Sequence, residues 1–173
     1  MENMNIILIG MMGSGKSSVG KKIAEYLNWS FLDTDVLIEQ ETQMKISDIF
    51  SQKGEPDFRK IETNVIKRLT DRTKTVISTG GGAPCSFENW RYLQGRFNKM
   101  VWLKADPKVL LKRLEFHRSM DRPLLKDQLH LERISSLLSQ REECYSKADV
   151  VIDTDFLSLE QVAEKIIQEV QIS

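Results

Sequence analysis

Cysteine, surplus charge and long apolar runs are scarce in this sequence, and each scarcity narrows the class of protein. Of the 173 residues only Cys85 and Cys144 are cysteines. Two cysteines with this spacing make neither a metal site nor a disulfide framework, so reduced, packed thiols are expected. Lysine plus arginine and aspartate plus glutamate both total 25, so the formal charge is zero. This balance disfavours a general nucleic-acid or acidic-membrane binder, although it allows a local basic pocket.

No apolar stretch approaches the length of a transmembrane helix. The opening residues, MENMNIILIG, have no basic segment before a short apolar run, so no secretory signal is expected. The length suits one domain with room for a sizeable core. We therefore predict a single cytoplasmic domain over residues 1–173, with neither nucleic acid nor a membrane as partner.

Short apolar runs alternate with longer helical patterns along the chain. The runs predicted as strands are 5–9, 31–33, 75–78, 100–103 and 150–153. The segments predicted as helices are 16–27, 57–69, 107–116, 129–145 and 159–170. The nearly continuous apolar character of the short runs indicates strands buried on both faces, as in a parallel sheet with helical crossovers. The alternation predicts an α/β fold with one mostly parallel sheet.

The most specific motif is GMMGSGKS at residues 10–17, which matches G-x-x-x-x-G-K-[ST] in full between a predicted strand and a predicted helix. Such a loop turns backbone N–H groups toward phosphate oxygens at a helix N-terminus. Lys16 is expected to bridge the β- and γ-phosphates, and Ser17 to bind Mg²⁺. An ordinary glycine-rich turn is the weaker alternative. A GTPase needs base-specific motifs such as N-K-x-D, which the sequence lacks, and an ATPase motor usually has a long core. In a chain this short the phosphate loop therefore favours a small-molecule kinase.

Two further patterns lie at predicted strand ends, where open α/β sheets bind ligands. Asp33 and Asp35 are two residues apart, which puts both side chains on one side of an extended segment. One carboxylate could hold Mg²⁺ through water while the other orients a substrate hydroxyl and accepts its proton, or either could cap the next helix. The triplet Gly80–Gly82 indicates a tight turn that needs positive φ, a close approach to the backbone, or both.

Five motifs in this order resemble those of shikimate kinases: GMMGSGKSS, DTD, FRKIE at 58–62, GGG at 80–82 and RPLL at 122–125. The resemblance extends from about residue 6 to residue 153. It implies a three-layer α/β/α P-loop kinase fold with a five-stranded parallel sheet, a substrate-binding helical region at about 34–60 and a lid at about 117–127. It also implies a Mg²⁺-dependent transfer of the γ-phosphate of ATP to the 3-hydroxyl of shikimate, in chorismate biosynthesis, by a monomer.

The resemblance assigns roles residue by residue. The implied ATP contacts are Gly13, Ser14, Gly15, Lys16, Ser17, Ser18, Arg118 and Arg122. The implied shikimate contacts are Asp35, Arg59, Gly80, Gly81, Gly82 and Arg141, with the two arginines on the carboxylate and the N–H of Gly81 on the ring substrate. The implied catalytic residues are Asp35, Lys16 and Arg122. The implied metal contacts are Ser17 directly and Asp33 through water.

Two alternatives stay open. Another small-molecule P-loop kinase, such as a gluconate kinase, would share the fold and the phosphate loop, but is not expected to combine DTD, FRKIE and GGG. A non-catalytic ligand-sensing module on the same fold is disfavoured because the predicted catalytic residues are intact. One position departs from the family pattern: Asp155 stands where many relatives have a basic residue near adenine, so no adenine contact is assigned there.

Overall fold

Five parallel strands form the centre of the chain, and the computed structural model describes residues 4–69, 71–118 and 130–172. The strands are β1 (Asn5–Ile9), β2 (Ser30–Asp33), β3 (Thr75–Ser78), β4 (Asn98–Lys104) and β5 (Val150–Asp153). Their order across the sheet is β2-β3-β1-β4-β5, and every neighbouring pair is parallel. All five predicted strands are therefore confirmed, each within two residues of its predicted start.

Helices cover both faces of this sheet. Within the described residues they are α1 (Lys16–Leu27), α2 (Thr34–Thr42), α3 (Ile46–Leu69), α4 (Phe87–Leu93), α5 (Pro107–Arg118), α6 (Leu131–Tyr145) and α7 (Leu159–Ile172), with a short 3₁₀ helix at Ala83–Cys85. Among these helices none combines the length and the apolar character that crossing a membrane requires.

Alternate residues of the strands enter two separate cores. On β1, Ile6 and Leu8 pack with α1 and α7, whereas Ile7 and Ile9 pack with α3 to α6 on the other face. All four side chains are fully buried. This two-sided burial explains the continuous apolar runs in the sequence, and it confirms the predicted three-layer α/β/α architecture.

The strand register brings the predicted site segments together. Ser78 at the end of β3 pairs with Asp33 at the end of β2 and with Leu8 near the end of β1. The loop after β1, the first turn of α2 and the glycine triplet after β3 therefore leave the sheet at one edge, where open α/β sheets bind ligands.

The sequence patterns did not predict α2, α4 or the first part of α3 as separate helices, although the resemblance implies a helical region at about 34–60. α2 and α4 have only a local signal in the sequence, since Asp33 caps α2 and Ser86 caps α4 through their side chains. The predicted helix 57–69 is the second part of α3, which is interrupted at Gly54 (φ 80°, ψ 170°) just before Pro56. A proline is compatible with the first turn that follows such a break.

Cys85 and Cys144 form a disulfide, which contradicts the expectation of two reduced thiols. Their Cα atoms are 5.4 Å apart although 59 positions separate them in the sequence, a Cα distance typical of disulfides. The bridge joins the 3₁₀ helix that follows the glycine triplet to the C-terminal turn of α6. The spacing of the two cysteines could not reveal this pairing, because only the packing of α6 against the 3₁₀ helix brings them together.

Candidate active site

The loop between β1 and α1 has the conformation that its motif predicts. Gly10, Gly13 and Gly15 have φ values of 140°, 80° and 93°, which side chains disfavour. The Nζ of Lys16 donates hydrogen bonds to the carbonyl oxygens of Gly10 and Met11, both at 2.9 Å. Because α1 begins directly at Lys16, its N-terminus faces this loop, an arrangement that binds phosphate through backbone N–H groups and the helix dipole.

Asp33 takes the capping role that the sequence left open and also contacts the phosphate loop. Its Oδ1 accepts a hydrogen bond from the N–H of Asp35 at 3.0 Å, which caps α2. Its Oδ2 accepts a hydrogen bond from the hydroxyl of Ser17 at 2.6 Å. Asp33 is therefore the last residue of β2 and the cap of α2. Its carboxylate also lies beside Ser17, the predicted metal contact of the phosphate loop.

Asp35 reaches the site from a helix rather than from an extended segment. The chain turns from β2 into α2 at Asp33, so the expectation that both aspartates share one side of a strand is wrong. A Cβ built on Gly80 would nevertheless lie 2.9 Å from Oδ1 of Asp35 and 2.8 Å from Oε1 of Glu62. The two carboxylates thus meet over the first glycine of the triplet.

Side chains of the chain itself crowd all three glycines of the triplet. None of Gly80, Gly81 and Gly82 has a positive φ, so the turn that they form does not need glycine for its backbone conformation. A Cβ on Gly81 would lie 3.2 Å from Nη1 of Arg141, and one on Gly82 would lie 2.6 Å from Nη2 of Arg59. Each glycine therefore makes room for a different charged side chain, which supports the close-approach interpretation of the triplet.

Arg59 is held by two carboxylates on its own helix. Its Nη1 donates to Oε2 of Glu62 at 2.8 Å, and its Nη2 donates to Oε1 of Glu55 at 3.0 Å. Burial acts against the charge of Arg59, but the hydrogen bonds and charges of Glu62 and Glu55 outweigh it and raise the pKa of the guanidinium. The side chain keeps 31% of its surface exposed, so Arg59 is oriented and still accessible to a ligand.

Glu62 is the most deeply buried carboxylate of the site. Burial raises its pKa, while the hydrogen bond and charge of Arg59 act in the opposite direction and the charge of Asp35 adds to the rise. Its Oε1 has no hydrogen-bond partner among the described residues. Burying a carboxylate oxygen without a hydrogen-bond partner costs free energy, so such oxygens are rare in an ordinary core. Perturbed carboxylates of this kind are typical of functional sites.

Arg141 approaches the triplet from α6. Its Nη1 lies 3.6 Å from Sδ of Met11 in the phosphate loop. Tyr145, one turn later, donates a hydrogen bond from its hydroxyl to the carbonyl oxygen of Gly81 at 2.5 Å. The structure therefore brings Asp35, Arg59 and Arg141 to one glycine triplet beside the phosphate loop.

Three residues of this arrangement were missed from the sequence. Thr34, between the two aspartates, accepts the N–H of Gly80 on its Oγ1 at 3.0 Å. Asn89 on α4 donates to Oε2 of Glu62 at 3.5 Å. Tyr145 could have been found, because a residue four positions after Arg141 lies on the same face of a helix. Asn89 carries no sequence signal, because α4 itself was not predicted.

Two predicted ATP contacts cannot be compared with the geometry. Arg122 lies outside the described residues, as does most of the predicted lid, and Arg118 ends α5 with a side chain that is also outside them. Asp155, by contrast, has a structural role, since its Oδ1 accepts a hydrogen bond from the N–H of Asp106 at 2.9 Å. This bond joins the loops after β5 and β4.

The amino-acid sequence of this chain is similar to those of known shikimate kinases. The shikimate kinase family model matches residues 12–171. The shikimate kinase of Thermodesulfovibrio yellowstonii is 46% identical over 165 residues, which cover 95% of this chain and 94% of that protein. That of Moorella thermoacetica is 42% identical over 162 residues, with coverages of 94% and 91%.

Solved structures of shikimate kinases share the fold of this chain. The shikimate kinase from Acinetobacter baumannii in complex with shikimate superposes with a TM-score of 0.89 at 36% identity, covering 98% of this chain and 94% of that one. A gluconokinase from Sinorhizobium meliloti, at 22% identity and a TM-score of 0.67, shares the fold alone. The chain therefore belongs to the shikimate kinase family and is an ATP-dependent phosphotransferase that acts on a hydroxyl group.

Proposed function

We propose that this kinase transfers the γ-phosphate of ATP to the 3-hydroxyl of shikimate, giving shikimate 3-phosphate and ADP in chorismate biosynthesis. One observation carries the proposal: Arg59, Arg141 and Asp35 converge on the glycine triplet, next to the phosphate loop. Shikimate is a carboxylic acid with ring hydroxyls. A site for it needs cations for the carboxylate and a hydrogen-bond acceptor for the hydroxyl that reacts.

The two arginines would bind the carboxylate of shikimate. A guanidinium can donate two parallel hydrogen bonds to one carboxylate, which fixes orientation as well as charge. The partial exposure of Arg59 and its hydrogen bond to Glu62 support this role, because the side chain is accessible and already oriented. The ring would then lie along Gly80–Gly82, with the N–H of Gly81 directed to a substrate oxygen.

Asp35 would orient the 3-hydroxyl and accept its proton as the new O–P bond forms. ATP would lie on Gly13, Ser14, Gly15, Lys16, Ser17 and Ser18. Lys16 would then move from the carbonyl oxygens it now contacts to the phosphate oxygens, where it offsets their charge. Ser14 supports nucleotide binding, because its hydroxyl is buried and has no partner among the described residues, and a phosphate oxygen would satisfy it.

Ser17 in the first turn of α1 and Asp33 at the end of β2 fit Mg²⁺. Ser17 Oγ and Asp33 Oδ2 lie 2.6 Å apart, and both are the hard oxygen ligands that this ion takes. Ser17 would bind the ion directly and Asp33 through water. When bound with ATP, the ion neutralises charge on the phosphate oxygens. The Oδ1 of Asp33 would meanwhile continue to cap α2.

The remaining parts of the proposal concern organisation. Residues 1–173 would form one domain, with a substrate-binding region at about 34–60 and a lid at about 117–127 that carries Arg118 and Arg122 over ATP. The enzyme would act as a monomer on small molecules in the cytoplasm, independently of nucleic acid and membranes. The Cys85–Cys144 disulfide is uncommon in a cytoplasmic enzyme, because such bridges are typical of an oxidising environment.

An acceptor panel tests the proposal. Release of ADP would be followed with ATP and Mg²⁺ in the presence of shikimate, gluconate, a nucleoside monophosphate or no acceptor. We expect rapid turnover with shikimate only, because gluconate and the nucleotide present different arrangements of acid and hydroxyl to Arg59, Arg141 and Asp35. Chelating the metal with EDTA should abolish turnover, and excess Mg²⁺ should restore it.

The other outcomes of this panel are equally informative. Turnover with gluconate or a nucleotide instead would leave the phosphate loop intact as an ATP site, but remove Arg59, Arg141 and Gly81 as shikimate ligands. Binding of ATP and shikimate with no ADP release from any acceptor would support the ligand-sensing alternative and contradict the proposed reaction.

A further inference from the structure

Tyr145 occupies a position that the roles described so far leave without a function. It is the last residue of α6, and its side chain has no exposed surface. Its ring packs against Trp102, with the two ring centres 5.7 Å apart. A buried tyrosine hydroxyl needs a hydrogen-bond partner, and this one donates to the carbonyl oxygen of Gly81 at 2.5 Å.

The same hydroxyl also touches the other groups around Arg141. It lies 3.7 Å from Sδ of Met11, and Nη1 of Arg141 lies 3.6 Å from that sulfur. Burial raises the pKa of Tyr145, whereas the charge of Arg141 and a hydrogen bond to it act in the opposite direction. The phenol is therefore the buried group between the guanidinium on α6 and the carbonyl of the middle glycine.

We propose that Tyr145 is a positioning residue for the acceptor site. This inference rests on the proposed binding of shikimate by Arg141 and Gly81. By donating to the Gly81 carbonyl and lying against Arg141, the hydroxyl holds the two acceptor contacts in a fixed mutual geometry. Tyr145 does not touch the substrate; it acts through the two residues that would bind it. A displacement of about 1 Å in such a constellation can cost up to about a hundredfold in rate.

The test is Tyr145→Phe, which keeps the ring and its packing against Trp102 and removes only the hydroxyl. We expect the KM for shikimate to rise about tenfold, since the variant leaves the partly buried carbonyl of Gly81 without this donor and removes the hydroxyl beside Arg141. The KM for ATP should stay within twofold of wild type, because the backbone carbonyls that hold Lys16 are untouched. Shikimate dissociation constants from calorimetry should follow the change in KM.

Tyr92→Phe is the matched control, because Tyr92 is a partly buried tyrosine of the same core and lies outside the site. Its shikimate and ATP constants should equal those of wild type. If Tyr145→Phe also leaves the shikimate KM within twofold, or raises both KM values equally along with a lower Tm, the hydroxyl is merely structural and the inference is overturned.

The wild-type enzyme is assayed with shikimate first, which separates the two failures. Absence of wild-type turnover would overturn the proposed function, and the inference would fall with it. Normal wild-type turnover with an unchanged Tyr145→Phe variant would overturn the inference alone.

Discussion

Replacing Asp35 by asparagine is expected to lower kcat about a thousandfold, within the range that a positioned general base contributes. The amide keeps the shape of the carboxylate but cannot accept the proton of the substrate hydroxyl. Because Oδ1 of Asp35 lies in the same pocket as Oε1 of Glu62, over Gly80, the change also removes one of two adjacent negative charges. Steady-state kinetics across pH, compared with wild type, would measure the effect.

The control for this prediction is Asp71→Asn, which changes an exposed aspartate after the end of α3 in the same way. Its kcat should equal that of wild type. The acidic limb of the wild-type pH–rate profile should disappear in Asp35→Asn, because the group that must be ionised is gone. An Asp35→Asn enzyme that kept most of its kcat would show that Asp35 is not a base.

Arg59→Lys is expected to have the second-largest effect, raising the KM for shikimate about a hundredfold, because it disrupts a bidentate contact between charged groups. Lysine keeps the positive charge but loses the planar fork that can serve Glu62 and a substrate carboxylate at once. The kcat and the KM for ATP should change little, because Arg59 does not contact the phosphate loop. Initial rates with each substrate varied in turn would separate these constants.

Arg68→Lys gives a matched control on the same helix. Arg68 pairs with exposed Glu41 at the surface, with Nη2 to Oε2 at 2.6 Å. Surface pairs of this kind contribute little, so its kinetics and its Tm should resemble those of wild type. The role proposed for Arg59 would be wrong if both lysine variants kept a normal shikimate KM.

Much of the fold could be predicted because the relevant signals are local. The apolar runs of the buried strands and the amphipathic pattern of α1 give their bounds closely, since each pattern reflects burial in the sheet or against it. α2 and α4 were missed because each is shorter than ten residues, and their capping residues are weak signals alone. The first part of α3 was not predicted because the helix is interrupted at Gly54, and Gly-x-Pro is typical of a helix end.

The site was predictable in its residue types and less so in its geometry. The phosphate loop follows from one contiguous motif, but the reason for the glycine triplet does not. It depends on Arg59 from α3 and Arg141 from α6, which only tertiary packing brings to Gly82 and Gly81. The Cys85–Cys144 pairing and the link from Tyr145 to Gly81 are hidden from the sequence for the same reason.

The central claim is that two arginines bind the acceptor through its carboxylate while Asp35 acts on its hydroxyl. The most direct measurement compares kcat/KM for shikimate and its methyl ester, in wild type and in an Arg59→Met/Arg141→Met variant. In wild type the ester should be poorer by about a hundredfold or more, because it leaves the guanidinium groups without an anionic partner. In the variant the two compounds should differ by only about twofold, since the interaction that distinguishes them is gone. An ester penalty of the same size in both proteins would contradict the account.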